Sequence, residues 1–285
     1  MKYIVLYNPL SNKERGLDCA KNVEKHIPGA AFEYADITKV KDFYAFQKDV
    51  PADTQILFTG GDGTLNHVFN DLFGKELDRE IYYYPAGTGN DFVNDLGKTQ
   101  DCAPFPVNEY IAGLPEVTVN GRTCRFLNAV GYGLDGYCCE ESDRLKALGK
   151  EKAYSTIAIE GLLGKYKPTN AKVTVDGVTK TYKKVWMAPA MFGRYFGGGI
   201  CMSPSQDRKN PGHLLTSVVV HDIARIPALL RFPAISAGKG ESFTKFMDYR
   251  VGREIEVEFD SPVALQIDGE TVLGVTGYSA RACEA

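Results

Sequence analysis

Two glycine turns constrain this 285-residue chain more than any other feature. The first, Gly60-Gly61-Asp62-Gly63-Thr64-Leu65-Asn66, follows the short apolar run Gln55–Thr59. Beyond it Leu65, Val68, Phe69, Leu72 and Phe73 recur at helical spacing. An apolar run abutting glycines reads as a buried strand, and the recurrence reads as an amphipathic helix with one face inward. The second turn, Pro85-Ala86-Gly87-Thr88-Gly89-Asn90-Asp91, follows the strand-like Ile81–Tyr84. It opens a short helix around Asp91–Leu96 that Gly97 ends. Tyr3–Tyr7 is a further strand, stopped by Asn8-Pro9. Alternating strands and helices predict a parallel sheet with right-handed crossovers, hence a Rossmann-like α/β domain over residues 1–124.

In a parallel sheet both turns lie at the carboxyl edge, where open α/β sheets bind ligands. Glycines let the backbone approach a phosphate, and a helix start offers N–H groups and a positive dipole end. The hydroxyls of Thr64 and Thr88 suit phosphate oxygens, and the carboxylates of Asp62 and Asp91 suit Mg²⁺. Neither turn ends in Gly-Lys-Ser/Thr, and neither reads G-x-G-x-x-G, so neither of those phosphate loops is present. Neither turn contains lysine, which leaves charge neutralisation to Mg²⁺, helix ends, Lys13 or Arg15. The plainer alternative makes the first turn mere punctuation, with Asp62 a helix cap.

The remainder reads as mostly antiparallel β, a β-sandwich domain over residues 125–285. Glu116–Val119 and Thr123–Ala129 flank Asn120-Gly121, and Lys172–Val175 and Thr181–Met187 flank Asp176-Gly177. Both dipeptides suit hairpin turns that need positive φ. Leu214–His221, Glu254–Phe259 and Ala264–Ile267 are further strands, and Ala153–Leu163 is the main helix. The last strand is allowed to return to the first domain.

Bulk properties exclude several function classes. A net charge of −3 and an isoelectric point near 5.9 leave no broad basic footprint for nucleic acid. Seven cysteines without a C-x-x-C pair, and no H-E-x-x-H, indicate reduced thiols in a cytoplasmic protein without a zinc site. The apolar stretch Ser217–Phe232 is interrupted by Asp222, Arg225, Pro227 and Arg231, so membrane contact is expected to be peripheral.

Taken together, Gly60-Gly61-Asp62-Gly63-Thr64 and Gly87-Thr88-Gly89-Asn90-Asp91 resemble the diacylglycerol kinase catalytic family, which includes bacterial lipid kinases and sphingosine kinase relatives. Further matching pieces are Asn8-Pro9, Thr38, Asn128-Ala129-Val130-Gly131-Tyr132-Gly133-Leu134-Asp135, Gly197-Gly198-Gly199 with Ser203-Pro204, and Asp268-Gly269-Glu270. The resemblance spans nearly the whole chain. It implies a nucleotide domain, a β-sandwich domain and an active cleft between them, with ATP and Mg²⁺ phosphorylating a lipid hydroxyl. It implies nucleotide contacts at Asn8, Thr38, Gly60, Gly61, Asp62, Gly63, Thr64, Asn66, Gly87, Thr88 and Asn90. Asp62 and Asp91 would serve the catalytic metal, and Glu270, with Asp268 beside it, would take the proton from the attacking hydroxyl. One departure stands out. Bacterial members often place a structural Mg²⁺ near an Asp-Gly-x-Leu-Asp segment, but here the region reads Arg208-Lys209-Asn210-Pro211-Gly212-His213-Leu214-Leu215-Thr216, so no structural metal is assigned. The alternatives are an NAD kinase-like phosphotransferase and a non-catalytic nucleotide- or lipid-binding regulator. The lipid, such as diacylglycerol, stays open, as does pairing into a homodimer.

Overall fold

The computed structural model describes residues 1–283, without the side chains of Asn12 and Lys13. The expectation for Lys13 therefore lies outside the described residues. The chain divides into two compact units, Met1–Leu114 and Pro115–Ala285.

The first unit holds strands β1 (Lys2–Tyr7), β2 (Ala31–Asp36), β3 (Thr54–Gly60), β4 (Ile81–Pro85) and β5 (Phe105–Pro106). Its helices are α1 (Ser11–Glu14), α2 (Gly16–Lys21), α3 (Phe43–Asp49), α4 (Asp62–Leu72), α5 (Asp91–Asp95) and α6 (Asn108–Ile111). The sheet order is β2-β1-β3-β4-β5, parallel except where β5 runs against β4. Its central strands are covered on both faces, which is why β3 reads as an unbroken apolar run. Val5, Leu57 and Tyr84 meet Ala20 and Val23 in one cluster. Aromatic rings fill the other face: Phe43 and Tyr83 lie against Phe58, and Phe92 lies edge-on to Phe69. As the spacing predicts, Leu65, Val68, Phe69 and Leu72 of α4 are buried, while Phe73 is half-buried at the helix end.

The second unit is built on ten antiparallel strands. They are β6 (Glu116–Val119), β7 (Arg122–Arg125), β8 (Ala129–Tyr132), β9 (Thr169–Val175), β10 (Val178–Val185), β11 (Ala190–Met191), β14 (Leu215–Val220), β15 (Met247–Gly252), β16 (Glu254–Ile267) and β17 (Glu270–Arg281). β12 (Tyr195–Phe196) and β13 (Ile200–Cys201) form a separate pair. The order is β15-β14-β11-β8-β16-β17-β6-β7, with β9 joining β16 and β10 joining β9. Three helices accompany it: α7 (Leu134–Ala147), α8 (Tyr154–Glu160), continued by a π turn over Gly161–Lys165, and α9 (Arg225–Ala234). Alternate residues of the inner strands serve two cores. Leu215 and Val219 join Val130 and Tyr132 in one, while Val218 and Val220 join helix residues Leu134, Ile157 and Ala228 in the other.

Several sequence expectations shift. The division falls after Leu114 and not at Cys124, because the β6–β7 hairpin pairs with β17 of the second unit. The last strand, β17, likewise pairs within that unit, with β16 and β6. The run Thr123–Ala129 is broken between β7 and β8, whereas Glu254–Phe259 and Ala264–Ile267 fuse into β16 across a register shift. The longest helix is α7, not the Ala153–Leu163 segment. Its glycine, Gly136, and its polar residues conceal the helical period.

Candidate active site

Parallel pairing aligns the carboxyl ends of β2, β1, β3 and β4. Thr38, Asn8, the Gly60–Asn66 turn and the Gly87–Asn90 turn therefore stand in that order along one edge. Thr38 is exposed in a single turn after β2, where Asp36 Oδ1 accepts from its N–H at 2.9 Å and its hydroxyl at 2.7 Å. The hydroxyl contact holds the Asp36 carboxyl below its usual range. Asn8 Oδ1 accepts from the Leu10 N–H at 3.0 Å, and its amide reaches Thr64 Oγ1 at 3.5 Å.

The two glycine turns are locked to each other. Asp62, the first residue of α4, accepts the N–H of Asp91 at 2.9 Å and of Phe92 at 3.1 Å. It is thus a cap, but of α5 rather than of its own helix. A Cβ on Gly87 would lie 2.4 Å from the Gly61 Cα, so the backbones touch where side chains would separate them. Asn90 adopts φ +51° and donates to the Gly87 carbonyl at 2.9 Å. Thr88 and Gly63 stay exposed at the rim, Thr64 and Asn66 are half-buried, and Asp91 is buried.

The fit of Mg²⁺ is judged from the donors. Among the described residues no three acidic, His or Cys side chains cluster as a metal cage. Mg²⁺ bound with a nucleotide needs only one or two carboxylates, because phosphates and water complete its octahedron. Asp62 meets that need, and the Oδ1 of buried Asn90 has no hydrogen-bond partner among the described residues. The donor set fits nucleotide-bound Mg²⁺.

In the second unit the β16–β17 hairpin turns on Asp268 and Gly269, at φ +47° and +96°. The Asp268 carboxylate accepts the N–H of Leu127, of Asn128 at 2.8 Å and of Ala129 at 3.2 Å. With three backbone donors, Asp268 holds the turn in place. Glu270, the first residue of β17, is exposed.

The Asn128–Asp135 motif has a physical reading residue by residue. A Cβ on Gly131 would fall 1.5 Å from Asp135 Oδ2, and one on Gly133, at φ +96°, would lie 2.5 Å from the Trp186 carbonyl. Gly131 leaves room for the buried Asp135 carboxylate against β8, and Gly133 lets the chain pass close to the Trp186–Met187 backbone. Gln266 donates to Asp135 Oδ2 at 2.8 Å and accepts from the Gly269 N–H at 2.6 Å. Among the described residues, Asp135 is also the one acidic side chain lining a narrow apolar crevice of about 50 Å³ among α7, α8, α9 and the sheet. Leu134, Ala158, Trp186, Val220 and Phe232 form much of its wall. The crevice is thus wired through Asp135 and Gln266 to the turn that carries Glu270.

Asp135 stood in the sequence as a motif member without a role, and Gln266 as a strand residue. Only their partners across β8 and β16 reveal them. Among the described residues no helix is long and apolar enough to cross a membrane.

Comparison with known proteins agrees with both halves. The diacylglycerol kinase catalytic domain family matches residues 2–115, and the YegS C-terminal NAD kinase beta sandwich-like domain family matches residues 128–282. A diacylglycerol kinase of Bacillus subtilis is 25% identical over 277 residues, covering 93% of this chain and 88% of that protein. The crystal structure of a diacylglycerol kinase from Bacillus anthracis superposes with a TM-score of 0.63 at 20% identity, covering 99% of this chain and 93% of the other. The chain therefore belongs to the diacylglycerol kinase catalytic family with a YegS-type C-terminal domain, a family of lipid kinases and so of phosphotransferases.

Proposed function

We propose that this lipid kinase transfers the γ-phosphate of ATP to the hydroxyl of a diacylglycerol-like lipid. Kinases of this family use ATP. Asn8, Thr38, the Gly60–Asn66 turn, Gly87, Thr88 and Asn90 contact the nucleotide. Asp62 and Asp91 would hold Mg²⁺, which would supply charge neutralisation at the phosphates. Glu270 accepts the proton of the lipid hydroxyl as its oxygen attacks the γ-phosphorus and the bond to ADP breaks. Phosphoryl transfer asks the protein mainly for positioning and charge stabilisation, with one carboxylate at the nucleophile. Asp268 positions and Glu270 reacts, since the first is engaged by three N–H groups and the second is exposed.

The observation that carries the lipid reading is the apolar crevice tied by Asp135 and Gln266 to Gly269. An acceptor with an apolar body and a hydroxyl end matches such a lining. The acceptor comes from a bilayer surface, in this reading. Ile159 and Leu163, and Ile226 and Leu230, are exposed on the two helical segments that frame the crevice. Arg225 ties those segments together through the Leu162 and Tyr166 carbonyls at 3.1 and 2.9 Å.

The test is incubation with labelled ATP, Mg²⁺ and a panel of lipid micelles, with Glu270→Gln alongside. Transfer to diacylglycerol, lost in the variant, supports the proposal. Transfer to NAD in place of every lipid would sink it. Leu163→Asp with Leu230→Asp should slow phosphorylation of vesicle-borne lipid and spare a short-chain soluble acceptor. Equal slowing of both would remove the bilayer contact.

A further inference from the structure

Arg208, in the segment before β14, is 5% exposed. A buried guanidinium persists only where its donors are met. Its Nη1 donates to the Leu127 carbonyl at 3.2 Å and its Nη2 to Asn128 Oδ1 at 3.0 Å, while the Phe192 ring centre lies 5.4 Å away. The N–H groups of Phe192 and Gly193 both donate to the Asn128 carbonyl at 2.9 Å. Gln206 steadies the same arm, donating to the Phe192 carbonyl at 3.1 Å and the Leu214 carbonyl at 2.9 Å.

The Leu127 carbonyl and the Asn128 N–H belong to one peptide unit. Arg208 stands on its oxygen, and Asp268 Oδ1 stands on its hydrogen at 2.8 Å. A cation at one end and an anion at the other polarise that peptide in the same sense, so each hydrogen bond strengthens the other. Asp268 in turn locks the turn from which Glu270 begins β17.

We propose that Arg208 is the positioning residue of the phosphoryl-transfer hairpin: acting through the Leu127–Asn128 peptide, it holds Asp268 and so sets where the Glu270 carboxylate stands. This rests on the reading of Glu270 as the base. Arg208 acts without touching nucleotide or lipid, so its removal changes turnover and not ATP affinity.

The experiment compares Arg208→Met, Arg208→Lys, Asp268→Asn and the Arg208→Met/Asp268→Asn double variant by steady-state kinetics and by hydrogen exchange at the 127–129 amides. Arg208→Met should lower kcat about tenfold or more with the KM for ATP unchanged, as small displacements of reacting groups do. Its 127–129 amides should exchange faster, and Arg208→Lys should recover part of both. The double variant should be no slower than the slower single one. Full kcat in Arg208→Met, losses that multiply in the double variant, or lysine no better than methionine would overturn the proposal. If Arg208→Met does not fold, Arg208→Lys carries the test alone: it should show reduced kcat and faster 127–129 exchange, and wild-type values for both refute the clamp. Activity retained by Glu270→Gln would sink the base reading instead, while the exchange measurement still decides the clamp.

Discussion

Two hairpins in the second unit share the dipeptide Asp-Gly, and they are built alike. At Asp176-Gly177 the φ angles are +47° and +78°, and at Asp268-Gly269 they are +47° and +96°. In each, the aspartate N–H donates to a neighbouring carbonyl, Glu254 at 3.0 Å or Ala129 at 3.2 Å. In each, Oδ1 accepts two successive backbone N–H groups, from Arg253 and Glu254 or from Asn128 and Ala129. The aspartate of such a turn is therefore a docking clip, whatever else the hairpin does. The hairpins differ in the residue after the glycine and in the segment the clip holds. Val178 comes after Gly177, whereas Glu270 comes after Gly269. Only the second clip grips a segment held by a buried arginine, and its turn is also tied by Gln266 to the lining of an apolar crevice. An identical turn becomes a candidate for chemistry through its surroundings.

Substitutions can break that comparison, beginning with the residue after the glycine. Glu270→Gln should reduce kcat by about 10²–10⁴-fold, the usual contribution of a positioned base, and Val178→Gln should leave it unchanged. Equal activity of the two variants would erase the distinction. Removing the clips comes next. Asp176→Ala and Asp268→Ala each orphan backbone donors and should each destabilise by about 1–3 kcal/mol in denaturant titration. Only Asp268→Ala should also lower kcat. A smaller effect is expected from Gln266→Leu, which cuts the tie between the turn and Asp135. It should raise the KM for lipid by roughly fivefold to tenfold through loosened orientation, with the KM for ATP unmoved. The mildest pair is Gly177→Ala and Gly269→Ala, each expected to destabilise by about 1 kcal/mol because an L side chain resists positive φ. Their stabilities should match while their activities diverge, and matching activities would show that the position of Glu270 tolerates backbone change.

Much of the first unit was legible in the chain itself. β1, β3, β4 and α4 announce themselves because each is a local apolar pattern stopped by glycine, proline or asparagine. β2 did not, because Phe32 and Tyr34 alternate with Ala31, Glu33 and Ala35 at a weakly buried edge of the sheet. In the second unit α7 stayed hidden, since Gly136, Cys138 and Cys139 bury small side chains that carry little amphipathic signal. Gly136 is small for a reason the chain does not state: a Cβ there would meet the Ala264 carbonyl at 2.0 Å.

The sequence by itself determined β1, β3 and β4 with their glycine turns, the positive-φ hairpins and the family motifs, because each depends on residues within about one turn of each other. Tertiary structure decided what those residues do. Asp62 caps a helix thirty positions away in the chain, and Asp268 clips a segment 139–141 residues earlier. Arg208 reaches Asn128 across 80 residues. Hydrogen bonds have a reach of about 3 Å and no memory of chain distance, so such partners exist only once the sheets have brought them together.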